Sequence, residues 1–166
     1  MYKIHKKLRL IALGLLATAL SISCMCPPPK TGLQGFDEAF DRVSDVFVAE
    51  VVMIDTLSLM YVVEVIEVFK GDLKKSDKVL GRNHWSCYPN IDRYGKWIIF
   101  GEDGIEFSTE QCGLTFNLDS TRILTPPPPA ALNQSTADYM LVREDWKRRN
   151  EELGKKVVQH FRDNGE

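Results

Sequence analysis

Four cysteines carry most of the chemistry this sequence could perform: Cys24, Cys26, Cys87 and Cys112. Cys24 and Cys26 are separated by Met25 and followed by Pro27-Pro28-Pro29. A ring closed between two cysteines one residue apart is strained, so each needs a distant partner. Only Cys87 and Cys112 are available, which leaves two pairings open: 24–87 with 26–112, or 24–112 with 26–87. Either would clamp the N-terminal segment across the rest of the chain. Loops of this length correspond to roughly 4 kcal/mol per bridge in the chain-entropy description. His84 stands three residues before Cys87 and, with Cys24 and Cys26, could supply imidazole and thiolate ligands to zinc. A histidine beside a disulfide is the plainer assignment in an oxidising compartment, and no intrinsic metal site or cofactor is expected. The Cys-x-Cys spacing also differs from the Cys-x-x-Cys of thioredoxin-like redox units. Hydrolase and nucleotide motifs are missing: the sequence holds no Gly-x-Ser-x-Gly, no His-Glu-x-x-His and no phosphate-binding glycine loop. Glu102, Asp103 and Glu106 read as turn and edge-strand charges. Trp85, Tyr88 and Trp97 could stack a flat ligand, with packing in the core or at its rim as the commoner use of such residues.

The compartment follows from the first residues. Lys3, Lys6, Lys7 and Arg9 make a basic start, residues 8–20 are apolar apart from Arg9, and Ser21-Ile22-Ser23 places small residues where a signal peptidase reads. The apolar run is shorter than the roughly 20 residues that cross a bilayer. Residues 1–23 are therefore expected to be a signal peptide, leaving 143 of the 166 residues. The remainder has 17 basic and 23 acidic side chains, a net charge of −6. That sign opposes nucleic-acid binding, which depends on neutralising phosphates. All four cysteines fall in the exported part, and an even number there reads first as two disulfides. Leu20-Ser21-Ile22-Ser23-Cys24 also has the form of a loose lipobox. Acylation of Cys24 would tether the chain to a membrane and block its amine and its thiol.

The elements that must position these cysteines can be read from the pattern of the chain. Asp37 is expected to cap a short helix through Val43, with Phe36 and Phe40 on one face. Residues 45–54 and 59–69 are rich in β-branched side chains and read as strands, the second with Tyr61, Val63 and Val65 alternating against Val62, Glu64 and Ile66. Asp55-Thr56-Leu57-Ser58 is the turn between them, and Lys70-Gly71-Asp72 stops the second. Residues 78–82, 96–101 and 105–109 are further strands, the last two joined through Glu102-Asp103-Gly104. Five strands and one early helix predict a mainly β fold, a five-stranded Greek-key barrel of the OB type. The domain is expected to span residues 24–125. A stiff proline-rich linker occupies 126–134, and a C-terminal helix occupies 135–166, capped by Ser135 or Thr136. Tyr139, Trp146, Leu153, Val157 and Phe161 recur along it at helical spacing. That stripe either packs on the barrel or binds a partner.

In their order and spacing, residues 24–119 resemble the N-terminal domain of the tissue inhibitors of metalloproteinases and the wider netrin-like (NTR) module. Cys24-Met25-Cys26-Pro27-Pro28 resembles the mature Cys-x-Cys start of that family. Phe36-Asp37-Glu38-Ala39-Phe40, followed by Ser44-Asp45-Val46-Phe47-Val48-Ala49-Glu50-Val51, resembles its helix and first strand. Tyr61-Val62-Val63-Glu64-Val65 through Phe69-Lys70-Gly71 resembles its second strand. Cys87, Trp97-Ile98-Ile99-Phe100-Gly101 and Cys112 resemble the remaining pattern. The resemblance implies an OB fold and the pairing Cys24–Cys87 with Cys26–Cys112. It also implies that the free amine and the carbonyl of Cys24 chelate the catalytic zinc of a protease, taking the position that such enzymes leave open to water. Met25 would enter the protease's specificity pocket, with Cys24, Met25 and Cys26 facing the protease and the disulfide holding the terminus rigid. The chain departs from the inhibitors in three respects. A third cysteine pair is missing, Met25 replaces a small hydroxyl residue, and the disulfide-rich C-terminal domain is replaced by a proline run and one helix.

Together these readings predict an exported, non-enzymatic binding module, secreted or periplasmic, whose partner is an extracytoplasmic protein of the zinc metalloproteinase class. The alternative is a lipoprotein of the same fold, anchored through Cys24. Intact mass of the exported protein separates the two: a chain beginning at an unmodified Cys24 with four oxidised thiols is expected, and a diacylglycerol or acyl adduct on Cys24 selects the anchored form.

Overall fold

Val46, Phe47, Val48 and Ala49 are buried one after another, which a strand permits only when both of its faces are covered. The strand that contains them organises the rest of the protein. The computed structural model describes residues 33–84, 89–102, 104, 106–110, 114–119, 129, 131 and 134–164. Its elements in order are α1 (Leu33–Arg42), β1 (Asp45–Asp55), β2 (Met60–Lys70), β3 (Lys78–Arg82), β4 (Gly95–Glu102), β5 (Ser108–Thr109), β6 (Phe116–Asn117) and α2 (Thr136–Asn164). The strands form one curled antiparallel sheet in the order β3-β2-β1-β4-β5, a half-barrel of five strands, with β6 also paired to β4.

Alternation sends the side chains of β1 to two different cores. Phe47, Ala49 and Val51 point into the curl of the sheet, where they meet Tyr61, Val63 and Val65 of β2, Val79 of β3, Trp97 and Ile99 of β4, and Ile91 and Phe107. Val46 and Val48 point the other way and join Ile98 and Phe100 of β4, Phe69, Phe116 and the two helices. Successive side chains of a strand face opposite sides of a sheet, so β1 and β4 are each continuous apolar runs, whereas β2 alternates. The β1–β2 pairing shifts register at Val46/Phe47, Val48/Ala49 and Val51/Met53. Such irregularities increase local twist and help a sheet to curl.

The ends of the curl approach each other at β3 and the residue before β5. Phe107 pairs with Gly81 in parallel fashion, donating from its N–H to Leu80 O at 3.0 Å and accepting from Arg82 N–H at 3.2 Å. A Cβ at position 81 would overlap the ring of Tyr61, so the absence of a side chain at Gly81 admits this large residue to the interior. Burial raises the Tyr61 hydroxyl above its ordinary value of 10.0. Outside, Arg82 donates to both carboxylate oxygens of Glu106, at 2.5 and 2.9 Å. Glu106 is thus the edge charge that the sequence suggests, with the added role of spanning β3 and the approach to β5.

Both helices lie on the outer face. Phe36 and Ala39 of α1 are buried together with Val157, Val158 and Phe161 of α2, and the rings of Phe40 and Phe161 stack at 4.9 Å. The packing alternative holds for the C-terminal half of the helical stripe: Val157 and Phe161 are buried in the outer core and Leu153 packs against it, while Trp146 is buried and Tyr139 half-buried. Gly154 faces the ring of Phe116, which a Cβ would meet at 3.3 Å. Polar bonds fix the helix at its end. Arg162 donates twice to Glu67 of β2, at 2.8 and 2.7 Å, and His160 Nε2 lies 2.6 Å from Asp37 of α1. Ser135 caps α2 as expected. It accepts from Asp138 N–H at 3.1 Å, and its hydroxyl returns a bond to the Asp138 carboxylate at 2.6 Å.

Several expectations need adjustment. α1 begins at Leu33, so Asp37 does not cap it but lies in its second turn, where its carboxylate meets His160. Leu59 belongs to the turn and not to β2, with φ at 59°. Of the strand expected over 105–109, Ser108–Thr109 is strand and Phe107 makes an isolated bridge, while residue 105 lies outside the described residues; β6 was unanticipated because two residues carry no period. No described helix is long and apolar enough to cross a membrane.

Two outcomes follow from the outer core. Phe161→Ala removes a ring that touches Phe40, Phe69 and Phe100 and is expected to cost about 3–5 kcal/mol in equilibrium denaturation. Arg162 holds the Glu67 carboxyl below its ordinary value of 4.5 by hydrogen bonding, against the opposing effect of burial. A carboxyl lowered in the folded state adds stability in full above its unfolded value and loses it as pH falls through the folded one. Glu67→Gln should therefore lower stability at neutral pH, and the difference from wild type should vanish in acid. A difference that persists there would assign the effect to packing.

Candidate functional site: the segments flanking Cys87 and Cys112

Cys24, Met25, Cys26, Cys87 and Cys112 all lie outside the described residues, as do Trp85, Tyr88 and Asp103. The nearest described residues are His84 and Pro89 around Cys87, and Glu110 and Leu114 around Cys112.

Cys87 lies between Asn83 and Ile91, and these two residues are joined. The Asn83 side-chain amide donates to Ile91 O at 2.9 Å, and its carbonyl oxygen accepts from Ile91 N–H at 2.8 Å. A carboxamide used in this way imitates a backbone strand partner. Ile91 is fully buried in the inner core, so the clasp ties Asn83 to that core. The Asn83 N–H also donates to Leu59 O at 2.7 Å, which connects the clasp to the β1–β2 turn. That turn is held by Asp55, whose carboxylate accepts from Leu57 N–H at 2.9 Å, Ser58 N–H at 3.3 Å and the Ser58 hydroxyl at 2.6 Å. These bonds lower the Asp55 carboxyl below its ordinary value, the Ser58 hydroxyl contributing most.

Cys112 lies between two anchors that return to one residue of β4. Glu110 N–H donates to Phe100 O at 2.9 Å. Thr115 Oγ1 accepts from Phe100 N–H at 2.9 Å and donates to Phe100 O at 3.2 Å. Thr115 is buried, and its hydroxyl replaces the backbone partner that an uninterrupted strand would give Phe100. On the outside, Arg42 of α1 donates to Glu110 at 2.7 Å.

The two segments meet. Thr109 Oγ1 donates to Pro89 O at 3.1 Å, joining a residue two positions after Cys87 to one three positions before Cys112. A buried threonine at the end of β5 is thus bonded to the first described residue after Cys87. Sequence reading missed Asn83, Thr109 and Thr115 because isolated polar residues at strand ends carry no periodic signal. Their burial becomes visible only once β4 and β5 are paired.

The remaining site expectations divide. Trp97 is buried in the inner core, with its Nε1–H donating to Arg93 O at 3.1 Å, so it has no free face for stacking. Among the described residues no group of three His, Cys, Asp or Glu could hold a metal ion. The zinc arrangement of His84 with Cys87, Cys24 and Cys26 falls largely outside those residues. A hollow of about 220 Å³ beside the clasp is lined by Ile54, Leu59, His84, Asn90 and Asp92 among others. No protein-family model matches the sequence, and comparison with curated proteins finds no match.

Proposed function

We propose that this chain is an exported, non-enzymatic binding module of the netrin-like type that inhibits a zinc metalloproteinase through Cys24 and Met25, with bridges Cys24–Cys87 and Cys26–Cys112. The observation that carries the reading is the contact between Thr109 and Pro89. Cys24 and Cys26 are two residues apart, within ~7 Å of each other, and a disulfide spans at most ~6.8 Å between Cα atoms. A Cys-x-Cys pair can therefore reach two distant cysteines only when these lie within ~20 Å of each other. The fold brings the flanks of Cys87 and Cys112 into direct contact although they are far apart in sequence. We further propose that the half-barrel is an OB fold. Two features support this: the strand order β3-β2-β1-β4-β5 and the parallel approach of Phe107 to Gly81 at the ends of that order.

In this mechanism the Cys24 amine donates a lone pair to zinc and so must be neutral. An α-amino group ordinarily titrates at about 7.7–8.0, which leaves a useful neutral fraction near neutral pH. The double bridge fixes the terminus beforehand and lowers the ordering cost of binding. The side chain of Met25, flexible and apolar, fills the protease's pocket.

The test is a panel of zinc endopeptidases assayed with the mature protein, with a form extended by one residue before Cys24, and with Met25→Gly. The mature protein is expected to inhibit, and to do so less well in acid. The extended form should be inactive, because a peptide nitrogen is a poor zinc ligand. Met25→Gly should lose about 1.5–3 kcal/mol of binding. Equal inhibition by mature and extended forms overturns amine chelation, and no inhibition by either overturns the inhibitor reading for that panel. Non-reducing peptide mapping that joins Cys24 to Cys112 overturns the pairing.

A further inference from the structure

We propose that the open end of the outer sheet face is a docking surface for an extended segment of a partner protein, one that presents an arginine and, two residues away, an apolar side chain. The surface lies on residues that the inhibitor reading does not use.

The two helices cover the outer face where Val46, Val48, Ile98 and Phe100 point. Nearer the β1–β2 turn the face stays exposed, and the register of β1 makes it apolar there. The pairing of β1 with β2 shifts between Val51 and Met53. At a bulge, two residues of one strand stand opposite one residue of its neighbour, so Val52 and Met53 share Val62. Val62 pairs on its other side with Leu80 of β3. Val63 and Val79 point into the inner core, so Val62 and Leu80 point outward. The result is an apolar row across three strands. Val52, Met53 and Leu80 are 45%, 44% and 46% exposed, with the half-buried Val62 between them. A continuous exposed row of this kind marks an interaction surface, where scattered single residues would not.

The neighbouring row selects the occupant. Glu50 of β1 stands directly opposite Glu64 of β2, and both point outward because Val51, Val63 and Val65 point inward. Like charges directly opposite each other destabilise a sheet. Lys96 stands opposite Glu50 on one side, and Lys78 stands opposite Glu64 on the other. Across four strands the row therefore reads positive, negative, negative, positive. The ion pairs among the described residues use neither Glu50 nor Glu64. A cation set between the two carboxylates relieves their repulsion, and the planar fork of a guanidinium can bond to both at once. A second copy of this chain, laid on the face across a two-fold axis parallel to the strands, would set glutamate on glutamate. The spacing completes the match. From Glu64 to Val62 is one alternate-residue step along β2, about 6.6 Å. An extended segment lying along the strands repeats its side chains at the same step, so an arginine above the glutamates puts its second neighbour above Val62 and Met53.

The test pans a displayed library of random linear dodecapeptides on the mature protein. Selected peptides are expected to carry an arginine with an apolar residue two positions away, and to bind more weakly as salt rises. Glu50→Gln and Glu64→Gln should each weaken binding about tenfold, through loss of a charged hydrogen bond, and Leu80→Ser should weaken it as well. Amide shifts on adding a selected peptide should centre on Val52, Met53, Val62 and Leu80. Melting temperature separates docking from packing: with the like-charge pair relieved, either Gln variant should melt at the wild-type temperature or above it.

A lower melting temperature in both Gln variants would assign the glutamates to the fold and overturn the proposal. Selected peptides that lack the arginine–apolar pattern, or whose binding these variants leave unchanged, would also overturn it. Failure to select any peptide would show the face closed to outside segments, with the same consequence. If the wild type sediments as a dimer that Leu80→Ser converts to a monomer, the occupant is a second copy and the proposal fails. Each of these outcomes is independent of whether the chain inhibits a protease.

Discussion

The double burial of β1 is the constraint on which the rest of the molecule depends. A strand covered on one face needs one apolar layer, whereas β1 needs two, and this chain supplies them from different sources. The inner layer comes from the sheet curling upon itself, which brings Tyr61, Val63 and Val65 opposite Phe47, Ala49 and Val51. The outer layer comes from two helices at opposite ends of the sequence, α1 immediately before β1 and α2 at the end of the chain. Neither helix covers the outer face alone. Phe36 touches Phe100 and Phe116, while Phe161 touches Phe40, Phe69 and Phe100, so the aromatic layer is shared between them.

The curl, once imposed, determines what happens at β4 and β5. Thr115 and Glu110 both return to Phe100, and Phe100 is itself paired to Val46 of β1. Glu110 and Thr115 are thus hung from the central strand through one intermediate residue. Asn83 is joined to the inner core through Ile91, and Thr109 is joined to Pro89. Polar side chains do this work where the regular ladder stops. They cost little because each one satisfies a backbone group that would otherwise be buried without a partner.

Much of this was legible in the sequence. β1, β2, β3 and β4 were visible within about a residue or two of their ends, because β-branched runs bounded by Gly, Asp and Lys are strong local signals. The C-terminal helix and its Ser135 cap were equally plain. The start of α1 was not, since Asp37 looks like a cap yet is recruited by His160, a contact no local window can contain. Leu59 looked like strand because its side chain suits one, while Asn83 and the Asp55 turn impose another conformation. β5 and β6 were the hardest, being two residues each and held as much by Thr115 and by Phe107–Gly81 pairing as by pattern. For the candidate site, the cysteines and their parity were legible. That the flanks of Cys87 and Cys112 touch was not, because this depends on one threonine hydroxyl.

The pairing of Asp37 with His160 joins residues 123 positions apart. A chain that emerges gradually, from a ribosome or through a membrane pore, can pair β1 with β2 as soon as their hairpin is free. It cannot seal the outer aromatic layer until α2 has appeared. Phe36, Phe69 and Phe100 must wait with one side uncovered, and folding ends with a step that is long-range and therefore slow. During that interval the nascent protein presents its stickiest surface to its surroundings.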